Sequence, residues 1–287
     1  MSTQHRHAEG NPERVKVLIY HRVNDDAALC ADQDAMCVHV DAFRAQLQLL
    51  DRWGFTAITL KDYQLHRAGS LNLPKRPIVL TFDDGYKEVH TFALPLLREF
   101  GMTAVLFALG DRQVRTNTWD LPNGVPEAPL MNDQELLELH QAGIEIGSHG
   151  LRHRPLPKIA REEAWEEISR SRVLLEILLN APVTSFAFPY GLSDEATKKM
   201  AHDAGYLTAC GVYSGPGTFG VDDFDVRRIL VPGSTSAAGF ALRVLTPYQH
   251  YASLKWNFKS LLGLGRRSSA VDSPYGTMVT DTGKGDA

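Results

Sequence analysis

The sequence predicts a parallel α/β domain, on three observations. Short apolar runs alternate with longer helical patterns from residue 15 to residue 231, as repeated βα units do. Gly54, Gly101, Gly143 and Gly205 each stand where a helical pattern stops. Polar residues of chemical interest directly follow several apolar runs: His21, the pair Asp83-Asp84, His149 and the turn Pro189-Tyr190-Gly191. In parallel sheets the carboxyl ends of the strands share one side, and that side carries the active site. Two architectures remain open at this point, a closed barrel and an open doubly wound sheet.

The elements follow in order. Residues 15–20 read as a strand and 41–53 as a helix, with Phe43, Leu47 and Leu50 at helical spacing. Residues 56–60 and 77–82 read as strands, 92–100 as a helix and 103–109 as a strand. Residues 110–130, with Pro122, Gly124, Pro126 and Pro129, read as a long surface loop. Asn132 is an N-cap with Glu135 three residues on, and it opens a helix that runs to Gly143. After a strand over 144–148, a long helix over 161–179 is expected to present Trp165, Ile168, Leu175 and Leu178 on one face, with Pro182 as its stop. Residues 184–188, 206–209 and 228–231 are the last predicted strands, with a helix over 194–204. Around the folded domain, 15–250, the sequence suggests a disordered lead-in at 1–14, an amphipathic helix at 251–267 and a disordered tail at 268–287.

Bulk properties exclude several function classes. The 287 residues are 44% hydrophobic and 22% charged, as in an ordinary globular protein. A net charge of −4 and a pI near 6.3 give no reason to expect a nucleic-acid partner. No G-x-G-x-x-G or P-loop opens any helix, which argues against nucleotide binding. Cys30 and Cys37 could pair, but with Cys210 the count is odd and the spacing unpatterned, and the three read as reduced thiols. Residues 1–14 have no apolar core, and no apolar run approaches the ~20 residues of a membrane span. A cytoplasmic location is therefore expected. Leu254, Phe258, Leu261 and Leu262 form an apolar stripe flanked by Lys255, Lys259, Arg266 and Arg267, with Trp256 beside it. The first expectation for that stripe is packing on the domain, and the second is peripheral contact with the inner membrane.

Two adjacent aspartates at a strand end repel each other and call for a cation in front of them. His149 and His153, four residues apart after another strand, are candidate partners. One carboxylate and two imidazoles make a three-ligand metal site with an open position for water, as a hydrolytic centre requires. The second aspartate is then a general base, and a histidine across the scissile bond a general acid. The residues alone leave open which aspartate does which. Each feature has an ordinary reading too: a strand-end Asp caps a helix, a buried His is merely satisfied, and Pro-Tyr-Gly is a turn. Their convergence from distant parts of the chain is what favours chemistry.

Thr81-Phe82-Asp83-Asp84-Gly85-Tyr86, then Gly147-Ser148-His149-Gly150-Leu151-Arg152-His153, then Phe186-Ala187-Phe188-Pro189-Tyr190-Gly191 resembles the polysaccharide deacetylase family, carbohydrate esterase family four. The resemblance spans residues 15–231. It implies a distorted (β/α) barrel and a divalent metal, zinc first with nickel, cobalt or iron as others. It also implies removal of N-acetyl, or occasionally O-acetyl, groups from a polysaccharide or glycan precursor. By that resemblance Asp83 is the general base; Asp84, His149 and His153 are the metal ligands; and the backbone N–H of Tyr190 stabilises the oxyanion. Pro189 and Arg228 complete the expected substrate-binding set with Tyr86 and Trp119.

Two departures stand out. Ala187 occupies a place where many members carry an arginine that pairs with the base, which makes Arg228 and Arg22 candidate replacements. The family's late Leu-x-His motif is missing, since only His202 and His250 follow Gly191. Leu18-Ile19-Tyr20-His21-Arg22-Val23 resembles the opening of the permuted subgroup that includes biofilm poly-N-acetylglucosamine deacetylases, which makes His21 the candidate acid. The departures keep one alternative in view, a catalytically lapsed carbohydrate-binding protein on the same fold; a metal-dependent amidase acting on a non-sugar acyl amide is a further reading.

Overall fold

The computed structural model describes residues 15–211 and 222–248. The expected lead-in at 1–14, the expected helix at 251–267 and the expected tail at 268–287 lie outside them. The strands are β1 Lys16–Tyr20, β2 Arg22–Asn24, β3 Cys37–His39, β4 Thr56–Ala57, β5 Pro77–Phe82, β6 Val105–Ala108, β7 Glu145–Ser148, β8 Ser185–Ala187, β9 Thr208–Cys210 and β10 Ile229–Leu230. The helices are α1 Val40–Arg52, α2 Leu60–Arg67, α3 Leu94–Glu99, α4 Asp133–Gln141, α5 Arg161–Leu179, α6 Glu195–Asp203 and α7 Ala237–Leu245.

The main sheet runs β10-β1-β5-β6-β7-β8-β9, with β4 added to the start of β5. Its pairings are parallel throughout. Cys210 at the end of β9 bridges in parallel to Val226, just ahead of β10. The sheet therefore curls back toward its own first edge. This is a distorted barrel, and the open doubly wound alternative falls. Strands in such a sheet are buried on both faces, which is why they read as unbroken apolar runs. Side chains alternate with period two. Leu18, Tyr20, Ile78, Leu80, Phe82, Leu106 and Phe186 pack in the larger cluster under the helices. Val17, Val79, Val105, Phe107, Ala187 and Cys210 form the other cluster, inside the curl. That interior is full: a Cβ on Gly147 would lie 2.5 Å from the Phe107 ring and 2.6 Å from Ser185 Oγ.

Most predicted elements are present, and the differences have physical causes. The capping box at Asn132 and Glu135 forms in both directions, at 2.9 Å each way. The strand expected over 56–60 is two residues long, because Thr59 and Asp62 make a capping box that opens α2. On α5 Trp165 is 42% exposed and Leu178 only half-buried. Its buried face is Ala164, Glu167, Ile168, Ser171, Leu175 and Leu179. The small Ser171 lets α5 approach Gly110 so closely that a Cβ there would lie 2.5 Å from the Ser171 Cα. The 110–130 segment is no mere surface loop, since Asn117, Asp120, Ala128 and Leu130 are buried and Leu130 bridges to Tyr86. Cys30 and Cys37 are joined in a disulfide, leaving Cys210 as the free thiol. Three reduced thiols were one ground for the cytoplasmic expectation, and that ground is gone. No described helix is long and apolar enough to cross a membrane.

Candidate active site

β5 ends at Phe82, and Asp83 and Asp84 follow as its backbone turns. The Asp83 N–H still donates to the Tyr20 carbonyl of β1 at 3.1 Å, so Asp83 extends the sheet. Asp84 then enters the left-handed region at φ 71°. β7 likewise ends at Ser148, and the His149 N–H donates to the Ala108 carbonyl at 2.8 Å. His153 and Tyr190 are also left-handed, at φ 60° and 58°. The one other non-glycine at positive φ among the described residues is Asn180, which caps α5. Left-handed non-glycine backbone costs about 1–3 kcal/mol per residue and persists where the surroundings impose it, most often at functional sites.

These turns bring three buried ligand atoms together. Asp84 Oδ1 lies 3.3 Å from His149 Nε2 and 3.2 Å from His153 Nε2. All three candidate atoms lie within 4.8 Å of one another. Asp84 Oδ1 has no hydrogen-bond partner although it is fully enclosed. His149 Nδ1 faces the Ala187 carbonyl at 2.8 Å, which places its proton on Nδ1 and turns the Nε2 lone pair toward Asp84. A carboxylate oxygen and two imidazole lone pairs aimed at one point repel each other unless a cation sits between them. The donor set, one oxygen and two nitrogens, suits a divalent transition metal. His153 is held differently. Its ring stacks on Trp119 at 4.3 Å and meets the Tyr190 ring edge-on at 4.5 Å, while its buried Nδ1 has no hydrogen-bond partner.

Asp83 has a separate partner. Arg228 donates from Nη1 to Oδ1 at 2.6 Å and from Nη2 to Oδ2 at 2.8 Å. It also donates to Thr81 Oγ1 at 3.1 Å and to the Gly211 carbonyl at 3.0 Å. Burial pushes the Asp83 pKa up, but the charges of Arg228 and His149 and the Arg228 hydrogen bonds outweigh it and hold the carboxyl below its usual range. For Asp84, burial is likewise outweighed by His149 and His153, which hold it well below. His21 is buried and follows Tyr20, the register partner of Phe82, so its backbone stands next to that of Asp83 at the end of the sheet.

Residues 70–209 match the family model described as polysaccharide deacetylase. The chain carries a polysaccharide deacetylase domain. YxkH of Bacillus subtilis is 24% identical over 80% of this chain and 75% of its own length. The poly-β-1,6-N-acetyl-D-glucosamine N-deacetylase of Escherichia coli is 25% identical over 79% of this chain, which spans only 38% of that protein. The enzyme of the same name from Staphylococcus epidermidis is 24% identical over 79% of this chain and 85% of its own. Among solved structures, the Streptococcus pyogenes deacetylase PplD in complex with acetate shares the fold, with a TM-score of 0.69 at 19% identity, covering 80% of this chain and 97% of that one.

The guanidinium that Ala187 lacks comes from Arg228, beyond the matched residues. Arg22 turns away, bound to Asp34 at 3.0 Å and to Glu88 at 2.8 and 2.6 Å. The expected substrate-binding set needs correction. Arg228 is fully buried and its donors are engaged by Asp83, Thr81 and Gly211. Tyr86 is buried beneath Arg22, whose guanidinium lies 5.2 Å from the ring, so it offers no face to a sugar. Pro189 is buried, its ring 3.6 Å from where a Gly150 Cβ would stand. Trp119 is at the site, half-buried, with His153 against one face of its indole. Two buried carboxyls close to the site went unnoticed in the sequence. Asp120 accepts from the Tyr86 hydroxyl at 3.3 Å, and burial followed by the charge of Asp84 pushes it up to about 7. Glu167 lies under the histidine turn. The available signal for Glu167 was an acidic residue in the apolar row Ala164, Ile168, Ser171, Leu175.

Proposed function

We propose that this chain is a metal-dependent hydrolase that removes N-acetyl groups from a polysaccharide of N-acetylglucosamine units. The observation that carries this reading is the meeting of Asp84, His149 and His153 beside an Asp83 whose other side is held by Arg228. The names of the Escherichia coli and Staphylococcus epidermidis relatives support the substrate class.

Asp84, His149 and His153 would hold a divalent cation, zinc by preference for this ligand set. When bound, it supplies Lewis-acid polarisation of the acetyl carbonyl. Asp83, kept ionised at neutral pH by Arg228, takes the proton of the attacking water. The backbone N–H of Tyr190 donates to the carbonyl oxygen as negative charge grows there. His21, whose backbone stands next to that of Asp83, returns a proton to the departing sugar amine, so the products are acetate and a free amino sugar.

The test is acetate release from β-1,6-linked N-acetylglucosamine oligomers after chelation and add-back of zinc, nickel or cobalt. The reading expects activity that disappears with the chelator and returns with metal. No acetate from any acetylated sugar under any metal contradicts it.

A further inference from the structure

We propose that Glu167, on α5, is a positioning residue that holds the turn carrying both candidate metal-ligating histidines in its ligating shape. The proposal rests on the reading of Asp84, His149 and His153 as metal ligands. Glu167 is 4% exposed, and its Oε2 accepts two consecutive backbone N–H groups, Leu151 at 3.0 Å and Arg152 at 2.8 Å. The opposite side of the same turn is held by the segment after β6, where the Gly110 N–H donates to the Gly150 carbonyl at 2.9 Å and the Asp111 N–H to the Leu151 carbonyl at 3.0 Å. Carbonyls are thus fixed from β6 and amides from α5.

The turn needs such support because it contains two left-handed residues, Gly150 at φ 79° and His153 at φ 60°. A histidine stays in that conformation only where its surroundings impose it. The glycine also makes room for the brace: a Cβ on Gly150 would lie 3.3 Å from the same Glu167 oxygen. His149 has two further anchors, its N–H on Ala108 and its Nδ1 on the Ala187 carbonyl. His153 has no bond at Nδ1, so its ring depends on the turn backbone and on contacts with Trp119 and Tyr190. Loosening the turn therefore falls mainly on His153.

The experiment compares the full chain with Glu167→Gln, Glu167→Asp and Glu167→Leu. Zinc affinity is read by competition with a chromophoric chelator, and hydrogen exchange at Leu151 and Arg152 is read in the metal-free proteins. A glutamine oxygen can accept both amides, so Glu167→Gln is expected to bind zinc as the parent does. The aspartate is a methylene too short and the leucine has no acceptor. Both are expected to weaken zinc roughly 10–100-fold, as loss of groups supporting metal ligands does, and to exchange those two amides faster. If Glu167→Leu does not fold, Glu167→Asp decides. Parent-like zinc affinity in Glu167→Asp overturns this inference and leaves the proposed function standing. Failure of the parent itself to bind zinc overturns both.

Discussion

Arg228 grips both carboxylate oxygens of Asp83, at 2.6 and 2.8 Å, with both residues buried. The pair joins residues 145 positions apart and sets the charge state of the candidate base. Removing one partner of a buried pair leaves the other charged and unpaired. Arg228→Met is therefore expected to lower unfolding free energy by about 3–5 kcal/mol, and Arg228→Lys, which keeps the charge but loses the fork, by less. Urea denaturation of the metal-free proteins measures this. In whatever folds, the Asp83 pKa rises, so the acid limb of the kcat/KM profile moves to higher pH. An unmoved limb separates Arg228 from the base.

His21 is expected to matter in proportion to how much the leaving group needs a proton. His21→Ala should lose roughly 10²–10⁴-fold in kcat on an N-acetyl sugar, the usual worth of a general acid. It should lose far less on 4-nitrophenyl acetate, whose phenolate leaves unassisted. Steady-state kinetics on both substrates, with metal content matched, checks this. Equal losses on the two assign His21 a structural role.

Asp120 makes stability depend on pH in an unusual direction. Its folded pKa of about 7 exceeds the ordinary value of about 4, so the native state holds a proton that the unfolded chain has released. The contribution is complete below pH 4 and is lost as pH rises through 7. Asp83 and Asp84, with lowered values, act oppositely and only at acid pH. The metal-free Asp120→Asn protein should therefore gain melting temperature relative to the parent as pH goes from 5 to 8. Scanning calorimetry across that range is the check, and a constant difference contradicts the assignment.

The chain's local chemistry was legible where local rules decide it. Strand-end addresses placed His21, Asp83, Asp84, His149 and His153 on one side of the sheet, because parallel strands share a direction and the apolar runs mark their ends. The Asn132 capping box was legible for the same local reason. What stayed hidden depends on packing between distant segments. The sequence left the partner of Asp83 open between Arg228 and Arg22, and the TFDDGY motif does not show Tyr86 lying under Arg22. Trp165 looked like core because it is large and apolar, yet α5 buries the small Ser171 and the acidic Glu167. Helix α2 was missed because eight residues with only Leu60 and Tyr63 buried leave almost no periodic signal.

The central claim is a division of labour between adjacent aspartates, Asp84 toward the metal and Asp83 toward the proton. It is tested most directly by measuring bound zinc and acetate release together in Asp83→Asn. Asp84 Oδ1 faces both imidazole Nε2 atoms at 3.3 and 3.2 Å, whereas Asp83 comes no nearer than 4.0 Å to His149 and has both oxygens on Arg228. The account predicts one zinc per chain, as in the parent, with turnover reduced roughly 10²–10⁴-fold. Loss of the zinc in Asp83→Asn, or acetate release at the parent's rate, would contradict it.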